Sequence, residues 1–68
     1  MNLKVGDSVR VVTSAGPFLF LPLVLGEVEA IDRSMIRLKF PGHRTLWWEL
    51  RDGSLHFNSR HTIRVAGV

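Results

Sequence analysis

The chain has 68 residues, 46% of them hydrophobic, and no cysteine. That length admits one domain, spanning 1–68, and the missing thiols exclude a disulfide scaffold, a zinc ribbon and thiol chemistry. Nine basic side chains against six acidic ones give a formal net charge of +3, a mild bias toward anionic partners. No two Lys or Arg residues are adjacent, so there is no polybasic tail. A chain of roughly 60 residues buries only about 60% of its unfolded surface, so more apolar side chain is present than one small core hides.

Taken in order, Met1–Asp7 is mostly polar, ends in Gly6-Asp7 and predicts no signal peptide. Period-two alternation then dominates, with little helix signal. It predicts strands over Val9–Thr13, Glu27–Ile31, Met35–Phe40, Thr45–Leu50, Leu55–Phe57 and Thr62–Val65. Phe18–Leu25 is the longest apolar stretch and is interrupted by Pro22. A membrane span needs about 20 apolar residues, so the sequence reads as soluble and cytoplasmic.

The turns make the strand assignment testable, because a one-residue slip in register moves every side chain to the other face. Asp52-Gly53 suits a two-residue type I′ turn, which pairs Leu50 with Leu55, Glu49 with His56 and Trp48 with Phe57. A three-residue connection at Pro41-Gly42-His43 pairs Leu38 with Leu46, Ile36 with Trp48 and Arg37 with Trp47. A three-residue loop at Asp32-Arg33-Ser34 pairs Ala30 with Ile36, Val28 with Leu38, Glu29 with Arg37 and Glu27 with Lys39. The three turns agree on one inner face: Val28, Ala30, Ile36, Leu38, Phe40, Leu46, Trp48, Leu50, Leu55 and Phe57. Val9, Val11, Ile63 and Val65 close it from the outer strands, and Asn58–His61 forms a tight turn of 3₁₀ type. The expected fold is all-β: a small SH3-like barrel of five to six short antiparallel strands, with a long apolar loop between strands 1 and 2.

Four features are candidates for function. Seven of the eight residues from Phe18 to Leu25 are large and apolar, which is unusual for a surface loop. Either the stretch folds back over an open end of the barrel, or it contacts another chain. On the outer sheet face, Trp47 beside Arg37 and Lys39 resembles a nucleic-acid stacking platform. Cross-strand pairing of Arg37 with Glu29 and of Lys39 with Glu27, and an Arg37–Trp47 cation–π contact, account for the same residues structurally. Arg10 and Arg64 point outward and lie close if the first and last strands are neighbours. With Arg60 and His61 they make a small phosphate-binding patch or a solvated basic edge that deters edge pairing. His43, His56 and His61 fit no metal-ligand spacing and read as separate surface histidines. The serines lie in no nucleophile motif.

Gly6-Asp7, Val9-Arg10-Val11, Gly16-Pro17-Phe18, Gly26, Val28, Ile31-Asp32, and Pro41-Gly42-His43-Arg44-Thr45 followed by Glu49-Leu50 resemble a KOW-type barrel, over residues 6–50. This SH3-like module occurs in transcription elongation factors and ribosomal proteins. The resemblance implies binding to RNA, polymerase or ribosomal partners and no enzyme activity. The chain departs from the family in its longer, far more apolar Phe18–Leu25 segment and in the Asp52-Gly53 hairpin.

The expected function is therefore non-catalytic binding to a protein partner or to itself as a homo-oligomer, through the apolar loop 17–25. Phe18, Leu19, Phe20, Leu21 and Leu23 are its contact residues, with Trp47 as a second anchor. The alternative is KOW-type RNA or single-stranded nucleic-acid binding through Arg10, Arg44, Arg60 and Arg64. A third reading is an enzyme whose site forms only in the shared pore of a symmetric oligomer. No cofactor, metal or small-molecule substrate is expected.

Overall fold

Alternation of apolar and polar residues puts one face of each strand in the core, and a single closed sheet satisfies all of those faces at once. A computed structural model describes residues 2–17 and 24–67 of the chain. Six strands follow in order: β1 Ser8–Ala15, β2 Leu25–Asp32, β3 Met35–Lys39, β4 Leu46–Arg51, β5 Ser54–Phe57 and β6 His61–Gly67. Each strand pairs antiparallel with the next, and β6 returns to β1, so the barrel is closed. Among the described residues no helix is long and apolar enough to cross a membrane.

The core is made by Val9, Val11, Val28, Ile36, Leu38, Phe40, Trp48, Leu55, Ile63 and Val65, with Leu3, Val24, Leu46, Leu50 and Phe57 packed against it. This is the inner face expected from the turns, with Ala30 displaced from it. Gly26 lies opposite Val9 and is where Phe40 crosses β2. A Cβ on Gly26 would collide with the Phe40 ring, so the missing side chain makes room for an aromatic in the core.

Two of the expected turns hold their register. Leu50 lies opposite Leu55 and Glu49 opposite His56, around Asp52 (φ 53°) and Gly53 (φ 76°). That is the left-handed pair a type I′ turn requires. Across the β3–β4 connection, Leu38 faces Leu46, Ile36 faces Trp48 and Arg37 faces Trp47.

The β2–β3 hairpin differs from expectation. Asp32 pairs with Met35, leaving a two-residue turn at Arg33-Ser34 with Arg33 at φ 58°, where a three-residue loop was predicted. The extra residue sits in a bulge between Val28 and Ala30. Val28 still faces Leu38 and Glu27 still faces Lys39, but Ala30 now faces Arg37 and Ile31 faces Ile36. The predicted pairs Ala30–Ile36 and Glu29–Arg37 are each shifted by one. A second bulge, between Val11 and Thr13, offsets β1 against β6. Bulges bend a strand and raise its twist. Both fall in eight-residue strands, the longest in the sheet, which must curve most for the barrel to close.

The β5–β6 connection also departs from a 3₁₀ turn. Phe57 pairs with His61, Asn58 (φ 54°) and Ser59 (φ 58°) are both left-handed, and the Arg60 amide donates to the Phe57 carbonyl at 3.3 Å. His61 belongs to β6 and is buried. Ahead of β1, the Lys4 and Asp7 amides donate to Asp7 Oδ2 (2.9 Å) and the Lys4 carbonyl (3.0 Å). The Gly6 amide donates to the Val28 carbonyl at 2.8 Å, and the Val28 amide to the Asp7 carbonyl at 2.9 Å. The β2 ladder thus continues past the start of β1.

Candidate functional site

Because consecutive strands are antiparallel, the β1–β2, β3–β4 and β5–β6 connections leave from one end of the barrel, the loop end. The β2–β3 and β4–β5 turns occupy the other, the turn end. Charge divides along this axis. All three aspartates belong to the turn end: Asp7 immediately before β1, Asp32 closing β2, and Asp52 in the β4–β5 turn. The three connections of the loop end, residues 16–24, 40–45 and 58–60, contain no Asp or Glu in sequence and carry His43, Arg44 and Arg60.

A recess of about 400 Å³ lies at the loop end, lined by Phe40, Leu46, Trp48 and Phe57 with Gly42, His43 and Arg44. The β3–β4 connection forms its lip. Gly42 turns the chain with φ 77°, and the His43 amide donates to the Phe40 carbonyl at 3.1 Å. Trp48 and Phe57 meet with ring centroids 5.8 Å apart and planes tilted by 52°. Phe57 in turn meets His61 at 5.5 Å. His61 is only 7% exposed, so it is part of this aromatic packing and not of a surface phosphate patch. The expectation of three surface histidines is corrected on that point.

The flanks of the apolar segment reach the same end. A Cβ on Gly16 would collide with the Arg60 carbonyl and lie 2.9 Å from the His61 Cα, so β1 leaves the sheet pressed against the β5–β6 turn. On the return, the Val11 amide donates to the Val24 carbonyl at 2.8 Å. The predicted contact residues Phe18, Leu19, Phe20, Leu21 and Leu23 lie outside the described residues.

Trp47, the predicted second anchor, is on the outer face of β4 and 39% exposed. The Arg37 guanidinium stands 5.6 Å from its ring centroid, and Arg37 Nε lies 3.9 Å from Glu29 Oε1. The ion pair and the cation–π contact expected for Arg37 are both present, although the bulge has moved Glu29 off the directly opposed position. That Nε is buried and has no hydrogen-bond partner among the described residues. Nearby, Glu49 pairs with Arg51 at 3.7 Å. His56 is opposite Glu49 as predicted, with Nε2 3.3 Å from the Arg51 carbonyl and Nδ1 3.2 Å from Thr62 Oγ1.

The four candidate arginines are divided. Arg44 and Arg60 belong to loop-end connections. Arg10 on β1 faces Ala66, while Arg64 on β6 faces Thr13 across the bulge. Arg64 reaches toward the turn end, with Nη2 3.7 Å from the place a Gly53 Cβ would occupy. β1 and β6 are neighbours as expected, but the two arginines are not directly opposed.

The recess itself was not anticipated. Phe40, Leu46, Trp48 and Phe57 read as ordinary inner-face residues, and nothing local marks them as lining an opening. A signal becomes visible once the topology is known: the loop-end connections are acid-free and the aspartates all lie opposite. Among the described residues no three His, Asp or Glu side chains are grouped so as to hold a metal ion. No family model matches the chain, and no curated protein or solved structure matches it.

Proposed function

We propose that the chain is a non-catalytic binding module of SH3-like, KOW-type plan that works by protein contact, with itself or with a larger assembly. The observation that carries this reading is an aromatic-lined recess at the end of the barrel where the apolar segment 17–25 leaves β1. The recess and the point where that segment begins share one rim: Gly16 packs on Arg60 and His61, and His61 on Phe57 of the recess. Interfaces are anchored by aromatic and large apolar side chains that fill pockets. Three of the six carboxylates have structural employment: Glu29 and Glu49 are in ion pairs, and Asp7 caps its own turn.

Light scattering coupled to size exclusion, run over a concentration series, tests self-association. The expected result is a mass that rises above that of one chain. A strict monomer at high concentration removes self-association and leaves only a foreign partner. Leu21→Asp with Leu23→Asp should return the protein to a single chain.

A second reading, single-stranded nucleic-acid binding, is favoured by a different observation. Strands β5, β6 and β1 are contiguous in the closed barrel, and neither residues 54–67 nor 8–15 contain an acidic side chain. Arg10, Arg60 and Arg64 fall within this sector, and Arg44 stands at the loop end. Phosphate contacts displace counterions, so such binding must weaken steeply with salt. Anisotropy of a labelled single-stranded RNA across a salt series tests it, and an absence of binding at low salt sinks it.

A further inference from the structure

We infer that the loop-end recess is a binding site for a compact apolar carboxylate, a role beyond the protein contact proposed above. Its volume of about 400 Å³ falls in the range of roughly 300–1,000 Å³ typical of ligand pockets. Most of the lining is apolar: Phe40, Leu46, Trp48 and Phe57. Phe40 and Trp48, 2% and 1% exposed, form its floor, and the half-buried Leu46 and Phe57 offer the apolar surface that a ring or a branched chain would cover.

The polar part of the lining is one-signed. Arg44 and His43 project from the exposed lip, and Arg60 lies in the neighbouring connection. No acid occurs in any connection at this end, whereas the aspartates are held at the opposite end. Glu27 and Glu29 lie over the outer side of this connection with Lys39 and Pro41, and the recess lining itself contains no carboxylate; a cation at the mouth of such an apolar recess favours a ligand carrying its own. The guanidinium of Arg44 donates two parallel hydrogen bonds that match carboxylate geometry. Gly42 adds no side chain at the lip, so a ligand can approach the backbone there. A neutral apolar ligand would use the walls and leave Arg44 unused; a polyanion would use Arg44 and leave the walls unused. An apolar carboxylate uses both.

Two sources present this chemistry, a small free acid and the C-terminal residue of a polypeptide, and the test separates them. Backbone amide and Trp48 indole resonances of the full chain are followed by two-dimensional NMR. The ligands are 3-phenylpropionate, 3-phenylpropanol, and the peptide Gly-Gly-Phe with a free or an amidated C terminus. The expected result is saturable shifts at Gly42, His43, Arg44 and the Trp48 indole. Each acid should bind about threefold or more tightly than its neutral counterpart, the size of effect an exposed charge pair supplies. Arg44→Gln, a substitution at an exposed loop residue, should abolish that preference while retaining the dispersed spectrum of the folded protein.

Preference for 3-phenylpropionate over the peptide acid identifies a free acid as the source, and the reverse identifies a chain terminus. Equal affinity of acid and neutral ligand overturns the proposal. So does an acid preference that survives in Arg44→Gln, or the absence of shifts at the recess up to the solubility limit. None of these outcomes bears on the light-scattering result.

Discussion

The two ends of the barrel are built differently. At the turn end, two-residue turns at Arg33-Ser34 and Asp52-Gly53 join strands directly, and aspartates punctuate the chain. At the loop end, the connections are 16–24, 40–45 and 58–60, and the recess there is lined by aromatic, aliphatic and basic side chains. Tight turns are set by local backbone chemistry and leave little freedom to build a site. Longer connections on a rigid sheet can carry one. One end therefore holds the register, and the other end can be given to binding.

Substitutions at the two ends should behave accordingly. Trp48 is 1% exposed and lies both in the core and in the recess lining. Trp48→Ala should cost about 3–5 kcal/mol, a large share of the roughly 5–15 kcal/mol that stabilises a typical domain. Far-UV circular dichroism should find the variant largely unfolded or melting far below the parent. A near-native melt would mean that the recess is not continuous with the core.

Gly16→Ala is the next largest effect. The residue has φ 107°, and an added Cβ meets backbone, not a side chain that can move aside. The expected loss is about 1–3 kcal/mol in urea titration, with amide shifts concentrated at Arg60 and His61. Unchanged stability would break the link between the β1–β2 and β5–β6 connections on which the shared rim depends.

At the turn end, Gly53→Ala places a Cβ in a left-handed position, in ordinary contact with the Arg64 guanidinium 3.7 Å away. The cost should be about 1 kcal/mol, with no change at the recess in an NMR spectrum. A perturbation that spreads to Phe57 or Trp48 would show that the ends are coupled.

The smallest effect belongs to the wall between them. Arg37→Met removes a long ion pair and a cation–π contact but also a buried, unpartnered Nε. Partly exposed pairs contribute little, and these changes offset each other, so stability should stay within about 0.5 kcal/mol of the parent. A loss well above that would mark the Glu29–Arg37–Trp47 cluster as a true stabilising unit.

Much of the architecture could be read from the residues because its causes are local. Asp-Gly requires φ > 0 at two successive positions, and this sets Leu50 against Leu55. Alternation then carries the register back to Leu38 and Leu46. The β2–β3 hairpin was misread by one residue because two solutions, a three-residue loop or a two-residue turn with a bulge, give the same Val28–Leu38 pairing. They differ only from Glu29 to Asp32. Arg33 is also a weak signal for a left-handed turn residue, since Gly and Asn favour that conformation far more. The site was less legible. Trp47 and the Arg37 contact follow from the register, but the burial of His61 does not, because it depends on Phe57 and on the turn that delivers it.

By itself, the sequence determined which segments are strands, which residues face inward apart from Ala30, and how the β3–β4 and β4–β5 hairpins align, because side-chain period and turn chemistry act over a few residues. The tertiary structure alone decided where the strands bulge, in what register β6 closes onto β1, and which side chains meet at one end. Closure is a property of the whole sheet: the longest strands bend through an extra residue, and the antiparallel order then sorts the connections between two ends. That sorting sets the aspartates opposite the aromatic recess, a separation no stretch of the chain contains on its own.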